Sequence, residues 1–219
     1  MKAAIDAYGH VDMLINDASF WHDMDSARMT DKTWNSALEL ISGLFNISKA
    51  LWPYFKAQKS GRIVSVTRPI GKSPTLGQLS QIVTKWALIG LSQALASEGT
   101  EENIEFGVVI PNSDSSNYTS INQDVVACIT EIICHDADGT NIRKGIQVYN
   151  VGQDEVERAS WQRSGGYQFP SGSHVTPEAL ARHWSQLVCF DDGRSDHPVD
   201  QVDGISKIMA HIALNNSIQ

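Results

Sequence analysis

The sequence predicts an α/β fold, a parallel β-sheet covered by helices, followed by a C-terminal helical extension. Short apolar runs alternate with long segments of helical periodicity, the pattern of strands joined by crossover helices. The apolar runs are nearly continuous rather than alternating, as expected of parallel strands buried on both faces. After Gly152 the alternation stops, and a stretch rich in Gly, Ser and Pro takes over.

In chain order, Lys2 to Tyr8 reads as a short helix ending at Gly9, a residue suited to a helix C-terminus. Val11 to Ile15 (VDMLI) reads as a buried strand, followed by a polar and aromatic loop to Met29. Thr30-Asp31-Lys32 opens a long helix to about Lys59, with Trp34, Leu38, Ile41, Leu44, Phe45, Leu51 and Trp52 near helical spacing. Pro53 is expected to kink or loosen it. Arg62 to Thr67 is a second strand, residues 80–98 a second long helix, and Ile104 to Ile110 a third strand stopped by Pro111. Asp124 to Cys134 reads as a helix and Gly145 to Val151 as a fourth strand. Ser164 to Ser173 reads as an extended loop. Thr176-Pro177-Glu178 then starts a helix, with threonine as N-cap and proline in the first turn. A last helix spans about Val202 to Leu214.

Composition narrows the function. Hydrophobic residues make up 42% and charged residues 19% of the 219, enough to bury a core. A formal net charge of -8 argues against nucleic-acid or anionic-membrane partners, which require a basic face. The three cysteines are widely spaced with no CxxC, as in a reducing compartment. No apolar run reaches transmembrane length, and the terminal Ser217-Ile218-Gln219 is not a peroxisomal address, so a cytoplasmic location is expected. The seven histidines show no metal-ligand spacing, and no metal is expected.

Four stretches carry a resemblance: Gly9 to Asn16 (GHVDMLIN), Gly61-Arg62-Ile63-Val64, Lys85 to Gly90 (KWALIG) and Val109-Ile110-Pro111-Asn112. In this order they resemble the short-chain dehydrogenase/reductase family. A narrower similarity is to the (3R)-hydroxyacyl-CoA dehydrogenase domains of fungal peroxisomal multifunctional enzymes. Trp161 to Gly166 (WQRSGG), Thr176 to Ala179 (TPEA) and Phe190 to Arg194 (FDDGR) support it. The resemblance implies a truncated Rossmann-like sheet lacking its first three strands over residues 1–160, with residues 161–219 as a C-terminal extension packed on it.

The departures from the family shape the functional expectation. No G-x-x-x-G-x-G occurs in the sequence, so no pyrophosphate turn and no cofactor are expected. The family uses a serine, a tyrosine thirteen residues on and a lysine four further. Counting back from Lys85 puts Gln81 at the tyrosine and Arg68 at the serine. A glutamine amide cannot exchange a proton near neutral pH, and arginine stays protonated. The family's N-N-A-G turn becomes Asn16-Asp17-Ala18-Ser19, and its helical asparagine has no clear counterpart.

Candidate pocket residues are therefore Arg68, Lys85, Gln81, Asp17, His22 and Asp23, beyond the carboxyl ends of the strands with Asn112 nearby. Arg68 and Lys85 can polarise a carbonyl or hold a carboxylate, and Asp17, Asp23 or His22 can move a proton. Each has a structural alternative: Lys85 is inherited, Arg68 pairs with Asp17, and His22 is a solvated loop residue. The expectation is a repurposed pocket for a carbonyl-bearing small molecule, catalysing a non-redox cyclase, isomerase or lyase step in fungal natural-product metabolism. The alternatives are a non-catalytic structural or regulatory partner subunit, and a decayed copy that keeps only its fold. A homodimer through helices 30–59 and 80–98 is expected, with Trp34, Trp52 and Trp86 offering apolar surface.

Overall fold

The computed structural model describes residues 2–17, 24–67, 77–111, 146–152, 155–170, 174–191 and 193. Helix α1 (Lys2–Tyr8) leads into β1 (Met13–Asn16), α2 (Asp31–Gln58), β2 (Gly61–Val66) and α3 (Leu79–Gly99). A 3₁₀ turn (Thr100–Glu102) precedes β3 (Ile104–Pro111), β4 (Gln147–Gly152) and β5 (Glu155–Ala159). Two short helices follow, α4 (Pro177–Arg182) and α5 (Trp184–Leu187). The expected helices 124–134 and 202–214 lie outside the described residues.

The sheet order is β1-β2-β3-β4-β5, with β1 to β4 parallel and β5 antiparallel to β4. The parallel sheet expected from the sequence is present, with β5 as a correction. Val156, Glu157 and Arg158 are all exposed, as suits an edge strand, and Tyr149↔Arg158 pairing fixes its register. A second correction concerns β1. It is not buried on both faces, because Met13 and Ile15 are exposed while Leu14 packs toward the core.

Helix α2 starts where the sequence places it. The Thr30 hydroxyl accepts from the Thr33 N–H at 3.2 Å, and Asp31 complements the helix dipole. The helix continues through Pro53 and ends at Lys59 in the left-handed conformation (φ 54°). Ala37, Leu44, Ser48, Leu51 and Phe55 line its buried stripe. Of these, Leu44, Leu51 and Phe55 meet Ile63, Phe106, Val108, Ile110 and Val148 from the sheet together with Leu88, Ile89 and Ala96 from α3. Each such side chain contributes roughly 1.5–3 kcal/mol on burial. The opposite sheet face buries Val64, Val66, Val109 and Val151.

Two contacts set how closely α2 and α3 approach the sheet. Phe55 lies over Gly61 so closely that a Cβ there would fall 2.3 Å from the ring. A Cβ on Gly99 would likewise meet the Ile104 carbonyl oxygen at 2.8 Å. The Gln58 amide brackets Val11, accepting from its N–H at 3.4 Å and donating to its carbonyl at 2.8 Å. This ties the end of α2 to the approach to β1.

Contacts divide the chain into Met1–Ala159 and Ser160–Gln219. In the second unit Thr176 caps α4 through the Ala179 N–H, Pro177 occupies the first turn as expected, and Tyr167 stacks on His183 with centroids 3.6 Å apart.

Candidate functional site

The carboxyl ends of the four parallel strands converge on Asp17, Thr67, Pro111 and Gly152. In a parallel sheet this edge is where ligands bind, because the connecting loops open there and the following helices begin there. The first turns of α3 lie at this edge, since the helix follows the loop that leaves β2. Gly77, at φ 91°, turns the chain into α3, and its carbonyl accepts from the Met24 N–H at 2.7 Å. The Met24–Gln78 bridge thus joins the segment after β1 to the entrance of α3.

Gln81 and Lys85 occupy the first two turns of α3, four residues apart on one face, and both are half-buried. Between them Thr84 fastens α3 to α2, its hydroxyl 2.7 Å from the Ser80 carbonyl and 3.5 Å from that of Ala37. Burial lowers the Lys85 ammonium below the usual lysine range, because desolvation disfavours its charged form. No ion pair to Lys85 occurs among the described residues. It is a partly desolvated cation with donors to spare.

Beneath this edge lie two polar groups outside the expected pocket residues. Asn16 and Ser65 are cross-strand partners on β1 and β2, and strand alternation puts them on the face that carries α2 and α3. The Asn16 Nδ2 and Ser65 Oγ atoms are both buried without a hydrogen-bond partner among the described residues. The sequence signal was present: a serine inside the apolar run RIVSVT and an asparagine closing MLIN.

Of the expected pocket residues, the structure brings Gln81 and Lys85 together and places Asp17, exposed, directly after β1. Arg68, His22, Asp23 and Asn112 lie outside the described residues. Among the described residues no cluster of His, Cys, Asp and Glu is arranged to hold a metal. None of their helices is long and apolar enough to cross a membrane.

Comparison with known proteins sets the chemistry of this edge in context. The profile of the short chain dehydrogenase family matches residues 1–125. The peroxisomal hydratase-dehydrogenase-epimerase of Neurospora crassa is 35% identical over 97% of this chain, which spans 24% of that protein. The peroxisomal multifunctional enzyme A of Dictyostelium discoideum is 28% identical, over 97% of this chain and 48% of its own length. The full-length peroxisomal multifunctional enzyme type 2 of Drosophila melanogaster superposes with a TM-score of 0.73 at 19% identity. That match covers 91% of this chain and 37% of the Drosophila chain, and it bears on fold alone. The chain thus spans about a quarter to a half of the length of these curated relatives. The matches overturn the expected non-redox cyclase, isomerase or lyase, and equally the non-catalytic partner subunit. Relatives of this similarity are multifunctional enzymes, and the Neurospora protein is named for a dehydrogenase step.

Proposed function

The chain belongs to the short-chain dehydrogenase family, and from that premise we propose that its sheet edge forms the substrate side of a dehydrogenase site. The reaction is interconversion of a hydroxyl and a ketone on an acyl chain, of the 3-hydroxyacyl thioester type. The observation that carries this reading is Lys85, a half-buried ammonium at the carboxyl edge with no ion-pair partner among the described residues, at the position of the family's lysine. The names of the Neurospora and Dictyostelium relatives support the reaction class.

The family implies a nicotinamide dinucleotide, and the residues here fit one end of it. An ammonium offers three N–H donors to ribose hydroxyls and to a substrate oxygen, and Asn16 Nδ2 is a buried donor at the same edge without a partner among the described residues. The pyrophosphate end prefers backbone N–H groups of a glycine-rich turn at a helix start, and no G-x-x-x-G-x-G lies in this chain. When bound, the dinucleotide supplies or accepts the hydride. Lys85 orients the substrate oxygen and stabilises the negative charge that develops on it as the carbonyl is reduced. Gln81, an amide, donates and accepts hydrogen bonds but moves no proton. The helices over the sheet keep this edge partly dry, which strengthens the Lys85 interaction.

The test is turnover of 3-oxoacyl and 3-hydroxyacyl thioesters at saturating NAD(H) or NADP(H). Wild type should convert them, and Lys85→Ala should lower kcat/KM at least ~100-fold. No conversion by wild type in either direction would contradict the reading.

A homodimer through the outer faces of α2 and α3 forms part of the proposal. Phe45, Ile47 and Trp86 support it, exposed by 45%, 37% and 51% on those two helices. Trp52 does not contribute as first expected, because its ring turns inward to 6.2 Å from Phe106.

A further inference from the structure

We propose that Lys85 itself passes the proton to and from the substrate oxygen, replacing a tyrosine, an assignment that rests on the dehydrogenase reading above. Gln81 stands one turn before Lys85 on the same helix face and has no exchangeable proton near neutral pH. Only two side chains on α3 are ionisable, Lys85 and Glu98, and Glu98 lies at the opposite end of the helix, more than three turns away.

Among the described residues, the charged groups on the elements packed against α3 form no ion pair with Lys85. On α2, Asp31, Lys32 and Glu39 lie in the half fastened by Thr84, and all three are exposed. On β3, Glu105 is paired with Arg62 at 3.5 Å. In the 3₁₀ turn, Glu101 is exposed and Glu102 is held by Lys56 and Lys59. Beyond β1, Asp17 is exposed, and Asp25 is bound to Arg28 at 2.8 Å. An ammonium that is partly desolvated and lacks a carboxylate releases its proton more readily than an exposed one. The lowering of Lys85 by burial agrees.

The step balances as follows. In reduction the carbonyl carbon accepts a hydride from a reduced nicotinamide dinucleotide, and the carbonyl oxygen takes a proton from Lys85 Nζ. A C–H and an O–H bond form, the C=O π bond and an N–H bond break, and the dinucleotide is oxidised. The neutral amine of Lys85 regains its proton from water. In oxidation the same amine removes the hydroxyl proton.

The experiment reads Lys85 directly. The wild-type chain is labelled with acetic anhydride across a pH series, and the peptides carrying Lys85, Lys32 and Lys49 are quantified by mass spectrometry. Lys85 is expected to react with a midpoint below the two exposed lysines, and a midpoint equal to theirs would overturn the proposal. Lys85→Arg keeps the charge but cannot release a proton. It should lose at least ~100-fold in kcat, as Lys85→Ala does. Wild-type reduction should weaken as pH rises through the labelling midpoint. An arginine variant within a few-fold of wild type would overturn proton transfer and leave Lys85 a positioning cation. A wild type that turns nothing over while Lys85 still titrates low contradicts the dehydrogenase reading instead, and leaves Lys85 as the proton-exchanging group of another reaction.

Discussion

Lys85 follows Gln81 by one helical turn on the face of α3 at the sheet's carboxyl edge, so an amide without an exchangeable proton adjoins an ammonium that has one. If Lys85 exchanges the proton alone, a phenol restored beside it should share the task. Gln81→Tyr is expected to raise turnover at least ~10-fold, about 1.4 kcal/mol of barrier. In that background Lys85→Arg should become tolerated. Steady-state kinetics of the single and double variants checks this, and a tyrosine variant no faster than wild type would count against it.

The seat of α2 on the sheet depends on Gly61. Gly61→Ala would place a methyl 2.3 Å from the Phe55 ring, which is fully buried and cannot swing away. A loss of about 1–3 kcal/mol is expected from overpacking. Urea denaturation measures it. Adding Phe55→Leu should return part of the loss, because the two sites share one contact.

Glu102 links the end of α2 to the turn before β3 by accepting from Lys56 at 3.1 Å and from Lys59. Those two ammonium groups lower its carboxyl below its ordinary value of 4.5. A depressed carboxylate contributes stability above the unfolded-state value, and that stability is lost as pH falls through the folded-state value. Glu102→Gln should therefore melt below wild type at neutral pH, with the two curves converging in acid. A difference that persists unchanged in acid would show that charge is not its origin.

The exposed Phe45, Ile47 and Trp86 surface predicts a dimer of the 24.1 kDa chain in light scattering at micromolar concentration. Trp86→Glu should shift it to monomer without lowering the melting temperature by more than a few degrees, since the side chain is half-exposed in the single chain. A wild-type monomer would refute the interface.

Much of the fold was legible because local chemistry and packing agree. Thr176 is read as an N-cap from sequence and acts as one, and Thr30, read as part of the opening of a long helix, caps α2. The runs RIVSVT and IEFGVVI are buried on both faces, so composition alone marks them as parallel strands. Three features were not legible. Residues Glu155–Ala159 carry three charges, Glu155, Glu157 and Arg158, and only pairing with β4 makes them a strand. Pro53 sits in a helix held by Leu51 and Phe55 on either side, and that packing outweighs one missing hydrogen bond. Met13 and Ile15 are apolar but exposed, which depends on where β1 lies in the sheet.

The site was legible in part. The family resemblance singled out Lys85 and Gln81 as candidates, and the structure sets both in the first turns of α3. The burial of Asn16 and Ser65 without partners among the described residues was not legible, because it arises from cross-strand register, which one strand's sequence does not reveal. The functional expectation failed for a different reason. It took Gln81, Arg68 and the missing G-x-x-x-G-x-G as loss of redox chemistry and gave Lys85 a carbonyl-polarising role in a non-redox pocket, whereas the relatives are named for dehydrogenase-bearing enzymes.

The most direct test of the account is where a substrate binds. A 3-oxoacyl thioester titrated into isotope-labelled protein, followed by backbone amide shifts, should perturb Asn16, Asp17, Thr67, Gln81 and Lys85. The same titration of Lys85→Ala should give weaker, parallel changes. Perturbations confined to residues away from the carboxyl ends of β1 and β2, or none at millimolar thioester, would contradict the placement of a dehydrogenase substrate at this edge.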